Sequence, residues 1–172
     1  YTWKGTTGAT DNEYGKVNIV EEFAPGKTIT VRPGETLVVD FGQNTSAVPS
    51  FEFKAKEGTV LTCLPAELLN DGNGAKNRGM DGPEGSGHRL NLRIPETGML
   101  LHYTFAANKD FVSFMPRSTF YGYRYVSVTA TDEVVIRSIK SVPVSSITET
   151  LETGTIETGS ADINKLISNT LW

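Results

Sequence analysis

Cysteine, histidine and long apolar runs are nearly missing from this 172-residue chain. The lone Cys63 excludes an intrachain disulfide. It lies inside "VLTCLP", where a buried, inert thiol is expected, and it leaves the redox compartment unreadable. The two histidines, His88 and His102, stand in neither a G-x-S-x-G nor an H-E-x-x-H context, so nucleophilic catalysis has no motif to rest on. No stretch approaches the ~20 apolar residues of a membrane span. Sixteen basic residues face 20 acidic ones, and the resulting net charge of -4 speaks against nucleic acid, which needs a basic footprint.

What the chain has in quantity is alternation with period two. In "KTITVR", Ile29 and Val31 point one way and Thr28 and Thr30 the other. Leu37, Val39 and Phe41 share a face in "ETLVVDF", as do Phe51, Phe53 and Ala55 in "SFEFKAK". "RLNLRI", "MLLHYTF", "DFVSFM", "YGYRYVSVTA" and "SIKSVPVS" continue the pattern. Turn signals such as "APGK", "RPGE", "KEGT" and "TATDE" separate these runs. Many short strands with little helical periodicity predict an all-β fold, an antiparallel β-sandwich of jelly-roll type, in a chain long enough for one domain.

Two segments depart from alternation. Residues 68–89, "LLNDGNGAKNRGMDGPEGSGHR", form a loop long enough to be functional, disordered, or packed against something missing. Its "NDGNG" offers the hard oxygens that Ca²⁺ prefers, with Asp81, Glu84 and Glu67 as further ligands, but it lacks the EF-hand spacing. Turn formation is the plainer account, and no metal site is assigned. At the other end, Ser160 or Asp162 can cap a helix on which Ile163, Leu166, Ile167 and Leu171 share a face. The chain opens on Tyr1 and stops at Trp172 with that helix barely begun, so a piece cut from a longer chain is expected. The expected organisation is lead-in strands over 1–32, a sandwich over 33–144, and a linker with the start of a helix over 145–172.

The stretch "FYGYRYVSV" concentrates aromatic residues around an arginine. Strict alternation puts Tyr121, Tyr123 and Tyr125 on one face and Phe120, Gly122, Arg124, Val126 and Val128 on the other. Tyrosines stack on sugar rings, but they also fill cores where each hydroxyl finds a partner. The carbohydrate-binding candidates are Tyr121 and Tyr123, with Glu67, Asn70 and Asp71 from the polar segment. Arg124 among apolar residues needs a carboxylate; Asp40 and Glu67 are available, and Asp40 is the expected structural partner.

"VVDFGQN", "GTVLTCLPAE" and "GYRY", in that order and spacing, resemble the concanavalin-like β-sandwich module that precedes the catalytic barrel of bacterial α-L-rhamnosidases, glycoside hydrolase family 78. "TGTIETGSADINKLISNTLW" resembles the passage from that module into the first barrel helix. The resemblance covers about residues 33–172. It implies a non-catalytic accessory domain that braces an (α/α)₆ barrel C-terminal to it and lines the substrate cleft. It further implies rhamnose-containing glycans as the sugars concerned. The alternative is an independent module binding rhamnose-type sugars.

Overall fold

The computed structural model describes residues 2–4, 16–18, 21–70, 85–88, 100–106, 110–146 and 154–171. Strands β1 (Thr2–Lys4) and β2 (Lys16–Asn18) pair with each other in a small antiparallel sheet. The other seven strands are β3 (Ile29–Val31), β4 (Leu37–Ala55), β5 (Val60–Ala66), β6 (Leu101–Thr104), β7 (Val112–Phe114), β8 (Tyr121–Ala130) and β9 (Val134–Pro143). They make one antiparallel sheet in the order β3-β9-β4-β8-β5-β6, with β7 pairing β4. A helix, α1 (Ala161–Leu171), follows. "RLNLRI", Leu90 to Ile94, lies outside the described residues.

The sheet is a sandwich because it folds over on itself. Phe53 of β4 sits 5.0 Å from the ring of Tyr103 and 4.9 Å from that of Phe105. Along the ladder β4 and β6 are three strand spacings apart, about 14 Å if the sheet were flat. Rings that touch across that interval require the two halves of the sheet to face each other. The crease runs through β4, which is 19 residues long. Its first half pairs β8 from Leu37 to Ala47; its second half pairs β9 from Ala47 to Ala55 and β7 from Phe51 to Phe53. Pro49 falls between the last residue paired to β8 and the first paired to β7, where its missing N–H breaks no ladder on that side.

Between the halves lie Phe51, Phe53, Leu61, Cys63, Val126, Val128, Val134 and Ile136, all buried. Burial pushes the Cys63 thiol up to about 12, so it stays a neutral, unreactive core group. The outer side of the β8 half is covered as well. Leu69 and Ala66 pack with Tyr125 and Val38 in a second, smaller cluster. Gly87 lies so close that a Cβ there would stand 2.7 Å from Ser127 Oγ and 3.3 Å from the Ala66 Cβ. The described ends of the long loop, 68–70 and 85–88, thus close over the chain's own sheet.

Candidate functional site

A compact polar cluster lies at a bulge where β4 meets β8. Asp40 pairs Tyr125 and Thr45 pairs Tyr123, so four residues of β4, 41–44, stand opposite Arg124 alone. One acid holds this irregularity. Asp40 Oδ1 accepts from Arg124 Nε at 2.8 Å and from the Gly42 amide at 2.7 Å, while Oδ2 accepts from Arg124 Nη2 at 2.9 Å. Gly42 turns the chain at φ 80°, in the left-handed region that glycine enters without steric cost. The Asp40 side chain is 5% exposed and that of Arg124 is 36% exposed. Arg124 also lies 5.1 Å over the Tyr125 ring. The hydrogen bonds to Asp40 raise the already high pKa of the guanidinium, so Arg124 stays charged at any working pH.

The bulge changes which side chains face inward. Tyr123, Val126 and Val128 all lie in the main core, and Tyr125 lies on the opposite side in the smaller cluster. The single tyrosine face expected from strict alternation is therefore broken between Tyr123 and Tyr125. Tyr123 is fully buried; its hydroxyl accepts from Ser141 Oγ at 2.9 Å, and its ring meets Phe41 edge-on at 5.7 Å. Burial raises its pKa, with the Ser141 bond acting the other way. A residue so enclosed has no face to offer a sugar, which removes Tyr123 from the binding candidates. Tyr121 is half-buried against the same core.

Asn70 leaves the candidate list for the same reason. It is fully buried, donating from Nδ2 to Ser86 Oγ at 2.9 Å and to the Gly87 carbonyl at 3.4 Å, and it ties the two ends of the long loop together. Asp71, Asp81 and Glu84 lie outside the described residues. Among the described residues no three His, Cys, Asp or Glu side chains gather as a metal site would require. His102 is exposed on β6, with Nδ1 3.1 Å from Thr62 Oγ1.

Glu67 remains at the surface. It follows the buried Ala66 at the end of β5 and precedes the buried Leu69 and Asn70, so its backbone is anchored on both sides. Its Oε1 accepts from Asn44 Nδ2 at 3.3 Å and lies 3.4 Å from where a Cβ on Gly122 would be. Asn44, the last residue of the bulge, escaped notice as a site residue because only the bulge carries it to Glu67. Phe120, two residues before Gly122, is 60% exposed. The structure thus sets Glu67, just past β5, against Asn44 of the bulge and Gly122 of β8, with Phe120 exposed two residues before that glycine in the chain.

The family model described as bacterial alpha-L-rhamnosidase concanavalin-like domain matches residues 29–145. An alpha-L-rhamnosidase of Streptomyces avermitilis is 30% identical over 164 residues, 92% of this chain and 14% of the relative. One from an Alteromonas species is 29% identical over 58% of this chain and 9% of its own length. One from Formosa agariphila is 27% identical over 80% of this chain and 13% of its own. The chain therefore spans only 9% to 14% of the curated relatives named here. No solved structure gives a match.

Proposed function

The chain belongs to the bacterial α-L-rhamnosidase concanavalin-like domain family, and from that membership we propose that it is a non-catalytic module of an α-L-rhamnosidase-like glycoside hydrolase. Its task is to brace a separate catalytic domain, an (α/α)₆ barrel, and to form part of the rim of the substrate cleft.

The observation that carries this reading is the helix. The α1 start is well built: Asn164 Oδ1 accepts from the Thr158 amide and hydroxyl, both at 2.8 Å, and Asn164 Nδ2 donates back to the Thr158 carbonyl at 2.9 Å. Yet Ile163 is 48% and Leu166 65% exposed. An 11-residue helix is marginal without a packed face, and a larger domain on that face would supply the packing. The bulge supports the non-catalytic part. Glycoside hydrolysis ordinarily needs two carboxylates across the scissile bond. Among the described residues of the bulge, Asp40 is enclosed and clamped by Arg124, while Glu67 is exposed.

Two measurements test the proposal. The 172-residue chain is expected to release no nitrophenol from p-nitrophenyl α-L-rhamnopyranoside. Leu166→Glu is expected to lower the melting temperature of the full-length parent while leaving that of the isolated chain unchanged. Turnover by the isolated chain, or a parent indifferent to Leu166→Glu, would overturn it.

A further inference from the structure

We infer that Glu67, Asn44 and Phe120, arranged around Gly122, form a subsite for the vicinal hydroxyls of a neutral sugar ring. The inference rests on the rhamnosidase reading for its choice of probe, though its geometry stands independently of that reading.

Glu67 Oε1 accepts from Asn44 Nδ2, which orients the exposed carboxylate. The Asn44 carboxamide keeps its oxygen as an acceptor and a second N–H as a donor. Adjacent sugar hydroxyls, each both donor and acceptor, match such a carboxylate–carboxamide pair. Gly122 provides a floor without a side chain beneath Glu67. Phe120 stands two residues along the chain, about 7 Å at extended rise. Phe120 is the residue just before β8 and is 60% exposed, so its ring is available to the apolar C–H side of a sugar bound there.

Charge selects among ligands. Arg124 is neutralised by Asp40 in a two-point contact, so of these three charged groups Glu67 carries the unbalanced negative charge. A uronate or phosphate is repelled there, whereas a neutral polyol is not. Rigidity comes from the bulge: Asp40 fixes Gly42 and Arg124, and with them the position of Asn44, which makes Arg124 a positioning residue.

The test is titration of the 172-residue chain with methyl α-L-rhamnopyranoside, followed by amide NMR. The glycoside is expected to shift the Asn44 side-chain amide and the Gly122 backbone signal, with a dissociation constant in the millimolar range. Glu67→Ala and Phe120→Ala are expected to weaken binding by about tenfold each. Glu67→Gln, which keeps the Asn44 contact, is expected to weaken it less. Because Phe120 and Glu67 are exposed, these variants should fold, and unchanged spectra elsewhere verify that they do. Phe111→Ala, at the ring beneath Arg137 just before β7, is expected to leave binding unaltered. Sodium glucuronate is expected to cause no shift. Absence of shifts at Asn44 and Gly122 up to tens of millimolar glycoside, or equal binding of glucuronate, would overturn the subsite. If methyl α-D-glucopyranoside moves those signals and the rhamnoside does not, the subsite stands and the rhamnosidase reading is what fails.

Discussion

Two of the arginine–carboxylate pairs that join distant parts of this sequence sit in opposite surroundings. Arg124 and Asp40 meet inside a bulge where the acid is 5% exposed. Arg137 and Glu52 meet on the outer surface of the other half, with side chains 46% and 31% exposed. Both arginines also lie over an aromatic ring, Tyr125 and Phe111 respectively. The chemistry is the same, but the consequences differ. In the bulge the acid also holds a backbone amide and sets the course of the chain; at the surface the pair ties two strands that already share a ladder.

The largest effect should follow from removing the cation at the bulge. Arg124→Met strands an enclosed carboxylate with the Gly42 amide as its remaining donor here, and should cost about 3 kcal/mol. For a domain of this size that is a fall of roughly 6–12 °C in melting temperature. Thermal unfolding by circular dichroism reads it directly. Should Arg124→Met melt with the wild type, the clamp would have no part in holding the bulge.

A smaller effect is expected at Gly42. A side chain there meets no atom within 4 Å, so the penalty is conformational alone. Gly42→Ala should cost about 1–2 kcal/mol for the left-handed backbone, and Gly42→Asn less, since asparagine tolerates that region. Equal losses from the two substitutions would mean that the bulge relaxes to another path. The order Arg124→Met, Gly42→Ala, Gly42→Asn in urea midpoints separates the ionic from the backbone contribution.

These positions also mark where the sequence was readable. Alternation located β3, β6 and β8, and the shorter β7 less clearly. It did not locate β5, whose Val60–Ala66 run is apolar on both faces: Leu61 and Cys63 point into the main core, and Ala66 packs with Leu69 on the other side. Such a strand carries no period-two signal. Pro65 falls beyond the described pairing of β5 with β6, which runs from Val60 to Cys63. The runs "ETLVVDF" and "SFEFKAK" read as two strands and are one, since a bulge bends β4 without ending it. The need of a buried arginine for an acid made the partnership of Arg124 with Asp40 legible. Which tyrosine faces the core was not, because four residues set against one reverse the alternation that sequence counting assumes.

The smallest effect is expected at the surface pair, and it is the sharpest check on the comparison. Glu52→Gln removes the charge but keeps a hydrogen-bond acceptor for Arg137. Arg137 retains its place 4.3 Å over Phe111, and the backbone pairing of Glu52 with Ser138 and Ser113 is untouched. Arg137 holds the Glu52 pKa below its usual value through their hydrogen bond, but both groups are open to water and counter-ions that screen the attraction. The variant's melting temperature should fall within the scatter of repeat wild-type melts, and added salt should not widen the gap. A loss rivalling that of Arg124→Met would mean that enclosure is not what separates the two pairs. The special standing of the bulge would then have to come from the Gly42 turn rather than from the ionic contact beside it.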